Sequence, residues 1–257
     1  MFYFGQWQFA FQPPQPSTQT APPANIGARI EDLRFNYTET GQAQLDGWWL
    51  PADAGASHAD AVLLLCHNGA TSLPQNLSLL QNLHSQGINV FAFDYRGFGT
   101  SLPIHPSEQS VYADGVAALR YLRDTRHIPV NKLVIYGDGI GAAVAVEVAR
   151  QVPRASDPVA GIILENAQPS LLPRMQAEPR LRLLPVRLLL HDRFDIQDSL
   201  AALQTPKLFL IVGGSPATEE FALYTHSAQP KHSVRLQTER SADWSAAITK
   251  FLQNTLR

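Results

Sequence analysis

The chain has 257 residues, with 20 Lys and Arg against 22 Asp and Glu, so its formal net charge is −2 at pH 7. This balance gives no support for nucleic-acid binding, and the 45% hydrophobic content is far above that of a disordered chain. The single cysteine, Cys66, excludes an internal disulfide, and it fits a reducing, cytoplasmic setting.

Residues 1–25 predict an aromatic and proline-rich tether ahead of one domain over 26–257. The opening lacks a basic region and is too short for a convincing signal peptide. We expect its aromatic side chains to pack on the domain, with a membrane interface, or an anchor upstream of Met1 that makes the protein membrane-associated, as the alternatives. Residues 12–25 are rich in Pro, Gln, Ser and Thr, which favours an extended segment. No apolar run reaches the roughly 18 to 20 residues of a membrane helix.

Strands and helices alternate over most of the domain. Alternation of apolar and polar residues predicts two antiparallel strands joined by a turn near Gly41. The predicted strands are 30–37, 45–50, 61–66, 88–93, 132–136, 161–165, 207–212 and 234–236. The predicted helices are 73–85, 108–123, 219–227 and 242–252. This order predicts an α/β fold with a mostly parallel central sheet and helices on both faces.

Residues 168–199 interrupt this alternation with four prolines, and they predict a short helical cap over the carboxyl ends of the strands. From 174 to 193 there are five arginines and two acidic residues, and five minus two gives a charge of +3. We expect the leucines of this segment to cover the crevice while its arginines stay in solvent. The alternative is a peripheral contact with anionic lipid.

Residues 133–143 form an apolar run, a glycine-rich turn and a stretch of small residues. This is the setting of the G-x-S-x-G nucleophile elbow, in which a strained turn between a strand and a helix presents a hydroxyl above the sheet. Gly137 and Gly141 match the outer glycines of that motif, so Gly139 stands at the nucleophile position. Glycine has no side chain and cannot attack a substrate.

Four stretches of the chain carry a resemblance to a known family. They are His67-Asn68-Gly69-Ala70, Asp94 to Ser101 (DYRGFGTS), Tyr112-Ala113-Asp114 and Leu189 to Asp195 (LLHDRFD). In this order the set resembles the α/β-hydrolase superfamily, in particular the acyl-protein thioesterase-like, α/β-hydrolase domain-containing serine hydrolases. The resemblance implies an α/β-hydrolase fold with a short helical cap.

The resemblance also implies a nucleophile, an acid and a histidine in chain order. The acid should follow the strand 207–212, where Pro216 stands, and the histidine should precede the last helix, near Ser241. All three positions are substituted, which predicts a degenerate catalytic triad and a pseudoenzyme that binds a ligand or acts as a scaffold. The alternatives are an active esterase, thioesterase or amidase with an unconventional constellation, and a structural subunit paired with an active homologue.

The oxyanion hole of this fold uses backbone N–H groups, which do not depend on the substituted side chains. Here these are the amide of Ile140 and, by the resemblance, that of Asn68 or Gly69. The predicted pocket also includes His67 and Asp138. It could hold a small acyl or carboxylate ligand, helped by the positive end of the helix that begins after Gly139.

Asp138 is the one candidate for a replacement nucleophile. For it to stand at the apex of the elbow, its flanking small residues would have to be Tyr136 and Ile140, which are too bulky for the tight turn. We therefore expect Asp138 to point to the side and to bond local amides or solvent.

Other polar residues favour surface positions. His226 falls in a predicted helix and His232 precedes the last predicted strand, so neither is placed as a general base. The spacing of His191, Asp192 and Asp195 is that of a solvated face rather than a metal site. No phosphate-binding loop or complete dinucleotide fingerprint is present in the sequence, so we predict no metal and no cofactor.

Overall fold

The computed structural model describes residues 7–14, 22, 29–36, 44–152, 157–213 and 219–256. The predicted turn near Gly41 and the acid-position residue Pro216 lie outside these residues, as does most of the predicted extended segment.

Eight strands form a single sheet. They are β1 (Glu31–Asn36), β2 (Gln44–Leu50), β3 (His58–Cys66), β4 (Ile88–Phe93), β5 (Leu133–Asp138), β6 (Gly161–Glu165), β7 (Lys207–Val212) and β8 (Lys231–Leu236). Their order in space is β1-β2-β4-β3-β5-β6-β7-β8. β2 pairs antiparallel with β1 and β4, and the other pairs are parallel. The last strand starts three residues earlier than expected, so the prediction that His232 precedes it is wrong. The strand begins with the polar residues Lys231, His232 and Ser233, so a search for apolar runs does not find its start.

Nine helices lie within the described residues. They are α1 (Trp7–Ala10), α2 (Leu77–His84), α3 (Glu108–Arg120), α4 (Ile140–Arg150), α5 (Leu172–Ala177), α6 (Val186–Leu189), α7 (Gln197–Ala202), α8 (Glu219–His226) and α9 (Ala242–Thr255). The arrangement confirms the predicted α/β-hydrolase fold. No helix in this described part of the chain is long and apolar enough to cross a bilayer.

The core has two halves, one on each face of the sheet. Adjacent tryptophans of β2 point to opposite halves, Trp48 towards α2 and α9 and Trp49 towards α3 and α4. β3 alternates in the same way and is buried on both faces, which explains its continuous apolar run. Helices therefore cover both faces and leave the strand ends to form the site.

The N-terminal segment packs on the domain at the carboxyl end of the sheet. The amide of Gln12 donates to the carbonyl of Gly69 at 2.6 Å. Phe11 is completely buried, and its ring lies 6.2 Å from that of Phe98 and 5.8 Å from that of Phe194.

The cap, residues 168–199, is fixed to the start of α3 by two hydrogen bonds. The amide of Glu108 donates to Asp192 Oδ1 at 3.0 Å, and the amide of Arg193 donates to Glu108 Oε2 at 2.7 Å. Asp192 thus occupies an anchoring position at a helix N-terminus, where a carboxylate is favoured.

The leucines of the cap divide into two groups. Leu171, Leu181 and Leu190 are buried, as expected for residues that cover the crevice. Leu183 and Leu188 are 95% and 81% exposed, so for these two the prediction is wrong. Leu188 lies on the outer side of α6, and Leu183 lies in the turn that precedes this helix.

Candidate functional site

The turn between β5 and α4 has the backbone of a nucleophile elbow. Gly139 lies between the two elements with φ 55° and ψ −118°, a region that non-glycine residues adopt only with strain. A Cβ atom placed on Gly139 would meet only the Cβ of Asn68, at 3.4 Å. The apex therefore has space for a small side chain, although the sequence places none there.

The two outer glycines are required by close backbone contact. A Cβ atom on Gly141 would lie 2.0 Å from the carbonyl oxygen of Cys66, and one on Gly137 would lie 2.3 Å from that of Gly141. These distances are far inside van der Waals contact. α4 can approach β3 and β5 this closely only because both positions lack side chains.

The loop after β3 meets the elbow through side-chain hydrogen bonds. Asn68 Nδ2 donates to Asp138 Oδ2 at 2.8 Å, and Asn68 Oδ1 accepts from the amide of Ala70 at 2.9 Å. Ile140 is the first residue of α4, so its amide has no acceptor within the helix. The structure thus brings Asn68, Asp138 and Ile140 together around Gly139.

The N-terminal segment covers the oxyanion side of the crevice. A Cβ atom on Gly69 would lie 2.9 Å from the carbonyl oxygen of Ala10 and 3.3 Å from Phe11 Cδ1. It would also lie 3.2 Å from Ile140 Cδ1. The space beside the predicted oxyanion amides is therefore filled by the chain itself.

His67 is a buried support for this loop. Its Nδ1 lies 2.7 Å from the carbonyl oxygen of Asn68, and its Nε2 lies 3.4 Å from Asp94 Oδ1. Burial lowers the pKa of His67 to about 4 and raises the pKa of Asp94 to about 8. A histidine that resists protonation in this way holds the loop as a neutral ring.

Two carboxyl groups lie side by side at the ends of β5 and β6. Asp138 and Glu165 are partners in the parallel register. Asp138 Oδ1 accepts from Asn166 Nδ2 at 3.2 Å, and Glu165 accepts a hydrogen bond from the hydroxyl of Tyr136. Burial raises the pKa of Asp138, and it raises the pKa of Glu165 to about 7. This pair was not predicted as a unit, although an acidic residue at the end of each of two apolar runs is a usable signal.

The loop between β8 and α9 carries an arginine close to these carboxyl groups. Ser241 caps α9, accepting a hydrogen bond from the amide of Trp244 at 3.4 Å. The charge of Arg240 favours the ionised forms of Asp138 and Glu165 and so opposes the effect of burial on both pKa values. The resemblance places the catalytic histidine in this loop, and the chain has Arg240 and Ser241 there.

The remaining histidine candidates lie elsewhere. His226 is exposed on α8, with its Nδ1 2.8 Å from the carbonyl oxygen of Ala222. His232 is exposed on β8, next to Leu208. Across the described ranges, no group of three or more His, Cys, Asp or Glu is arranged to hold a metal ion.

The cavity beside the elbow is small. Its volume is about 50 Å³, room for only a few water molecules. It is lined by Gly139, Ile140, Ala143, Gln168, Ser170, Leu171, Arg174 and Phe194. Ser170 and Arg174 give the cap side a polar character.

Comparison with known proteins places this site in a family. The sequence profile described as serine aminopeptidase, S33, matches residues 57–214, which include the loop after β3, the turn at Gly139 and strands β3 to β7. The chain belongs to this α/β-hydrolase family.

Similar proteins match most of the length of this chain. The uncharacterized protein Rv2307c of Mycobacterium tuberculosis is 32% identical over 225 residues, which cover 86% of this chain and 74% of the relative. The esterase PF2001 of Pyrococcus furiosus matches in structure with a TM-score of 0.73 at 17% identity and covers 96% of this chain and 99% of its own. The α/β-hydrolase of Vibrio vulnificus gives a TM-score of 0.68 at 20% identity, over 88% of this chain and 80% of its own. At these identities, the two structures establish the fold alone.

We predict unequal losses of stability when alanine replaces the elbow glycines. Gly141→Ala forces a carbon atom against the backbone of β3, so the free energy of unfolding should fall by about 3 kcal/mol or more. Gly139→Ala meets only strain at positive φ and should lose about 1 to 2 kcal/mol. Urea denaturation followed by circular dichroism measures both, and equal losses would contradict the contact described for Gly141.

We predict that Glu165→Gln becomes more stable relative to the native chain as pH rises from 5 to 7. The folded-state pKa of Glu165 is raised to about 7 from 4.5. The folded protein therefore holds a proton that the unfolded chain has lost, and the associated stability is lost as pH rises through this window. The difference should change by up to about 1.4 kcal/mol per pH unit. Urea denaturation across this range measures it, with Glu147→Gln as the control. A trend of the same size in the control would refute the prediction.

Proposed function

We propose that this chain is a catalytically degenerate α/β-hydrolase that acts as a scaffold or binding protein. The observation that carries the proposal is the elbow at Gly139, whose backbone is that of a nucleophile turn while its apex has no side chain. The substitutions at Pro216 and Ser241 add support from the sequence.

The size of the catalytic loss supports this proposal. Removing a complete triad costs about 10⁶-fold in turnover, and a residual of about 10³ to 10⁴ over water comes from oxyanion groups and binding. In this chain even the oxyanion side is covered by Ala10 and Phe11. A residual rate enhancement of that size is too small for a useful enzyme.

An active hydrolase with an unconventional constellation is the competing hypothesis, and the esterase activity named for the Pyrococcus furiosus neighbour gives it a precedent on this fold. It needs a nucleophile near Gly139. Both oxygens of Asp138 are engaged by amide groups, and Glu165 is only 1% exposed. The hydroxyl of Ser170 donates to the carbonyl of Arg193 at 3.2 Å. These groups are held in structural contacts, which favours the degenerate assignment.

The filled crevice favours a scaffold over a resident ligand. Among the described residues, the cavity lined by Gly139 has a volume of about 50 Å³, which is too small for an acyl chain, and Phe11 is buried near it. A ligand would first have to displace Phe11.

Binding of an acyl or carboxylate ligand is the second candidate. The free amide at the N-terminus of α4 and the arginine Arg174 at the cavity favour a carboxylate. The place of Phe11 is apolar, and the resemblance to acyl-protein thioesterases suggests an alkyl chain there.

For either role, we place the protein in the cytoplasm on the basis of its single cysteine. Burial raises the pKa of the Cys66 thiol, which makes it unreactive.

We predict that the purified protein neither reacts with a fluorophosphonate probe nor hydrolyses p-nitrophenyl acyl esters. Gly139→Ser should stay at the level of Gly139→Ala, since the loop between β8 and α9, where the resemblance places the histidine, has Arg240 and Ser241 instead. Gel fluorescence and release of p-nitrophenol measure the two reactions. A native rate above that of Gly139→Ala, and lost in Asp138→Asn, would establish a catalytic crevice.

We predict that Phe11→Ala creates a binding site for decanoate, because it vacates the apolar space beside the oxyanion amides. Isothermal titration calorimetry should show binding to this variant and none to the native chain at the same concentrations. Phe221→Ala, which removes an exposed ring from α8, should behave like the native chain. Equal heats for all three proteins would remove the ligand-binding candidate and leave the scaffold.

A further inference from the structure

The outer face of the cap presents leucines to solvent. Leu183 is 95% exposed and Leu188 is 81% exposed, and Leu184 between them is also exposed. The opposite side of the same segment is anchored, because Val186 and Leu190 are buried in the core. α6 is therefore held in place while its apolar outer side chains project from the molecule.

These leucines alternate with arginines. Arg180, Arg182 and Arg187 are all exposed in the same segment. The neighbouring acid, Glu178, is in an ion pair with Arg180, with 2.5 Å between Oε1 and Nε. Among the described residues, neither Arg182 nor Arg187 forms an ion pair. The face thus combines unpaired positive charge with exposed apolar surface.

A depression lies between the two unpaired arginines. Its volume is about 270 Å³, and its lining includes Arg182, Leu184 and Arg187. Guanidinium groups bind phosphate oxygens through paired hydrogen bonds. A phosphodiester headgroup seated here would therefore be held by two cations, with the exposed Leu183 and Leu188 each next in sequence to one of them.

The aromatic N-terminal segment meets the same face. The guanidinium of Arg180 lies 4.9 Å from the centre of the Phe9 ring. Trp7, two residues earlier, stacks on His105 with 4.2 Å between ring centres. Tryptophan and phenylalanine are residues that favour the boundary between headgroups and acyl chains. The N-terminal segment therefore touches the cap at Phe9, beside its basic face.

We propose that this cap face, residues 180–188, docks on a bilayer that contains anionic phospholipid. The leucines enter the boundary between headgroups and acyl chains while the arginines pair with phosphate groups. The favoured occupant is a bilayer rather than a protein because the exposed Arg182 and Arg187 lie among the exposed leucines, and because the excess charge is of one sign. This docking does not depend on whether the crevice is catalytic.

The test is cosedimentation of the full chain with vesicles. Phosphatidylcholine vesicles with roughly one-third phosphatidylserine should bind the protein at about 0.1 M salt, and pure phosphatidylcholine should bind it less. Raising the salt to about 0.5 M should weaken binding to the anionic vesicles. The variants Leu183→Ser/Leu188→Ser and Arg182→Gln/Arg187→Gln should each lower the partition coefficient about tenfold or more.

Two matched controls separate the cap face from general surface effects. Phe221→Ser removes an exposed apolar side chain from α8, and Arg235→Gln removes an exposed arginine from β8. Both should bind anionic vesicles like the native chain, with thermal melting confirming that every variant is folded.

Three outcomes would overturn the proposal. The first is a failure of the native chain to bind anionic vesicles at low salt. The second is equal binding by the native chain and the double leucine variant. The third is a leucine-dependent dimer, seen by light scattering, in a protein that does not bind vesicles, since this would assign the face to a second copy of the chain.

Discussion

The contact between the first turn of α4 and the ends of β3 and β5 determines the geometry of the site. It exists because Gly137 and Gly141 let two backbones meet at distances where a single added carbon would overlap an oxygen atom. Through this contact the helix axis, the apex at Gly139 and the amide of Ile140 are all fixed relative to the sheet. The contact involves only backbone atoms, so it does not depend on any side chain at the apex. The elbow therefore keeps its geometry with glycine at the apex.

The stretches that carry the family resemblance also fix the positions of loops, here through side-chain hydrogen bonds. In the loop after β4, Arg96 Nε donates to Asp114 Oδ1 at 3.0 Å, which joins that loop to α3. Ser101 Oγ donates to the carbonyl of Asp94 at 2.7 Å and accepts from the amide of Asp46 at 3.0 Å. These residues shape the loops around the crevice. A chain can accordingly keep the family's recognisable sequence while its catalytic positions change.

The sequence predicted the features that depend on local pattern. Apolar runs located the strands, and glycine spacing located the elbow, because both follow from near neighbours in the chain. The position of Phe11 could not be predicted in this way, since it depends on packing against Phe98 and Phe194, which are far away in sequence. The exposure of Leu183 was missed for a related reason. Composition shows that a segment is apolar but does not show which of its side chains the domain covers.

Phe11 also competes with any small molecule for space in the crevice. It belongs to the same polypeptide, so it competes at a fixed local concentration, which for a covalently linked group is on the order of millimolar. Diluting the protein does not reduce that competition. A free molecule of ordinary affinity would therefore be outcompeted at micromolar concentrations, and occupancy would respond to events that move the N-terminal segment more than to the supply of the molecule.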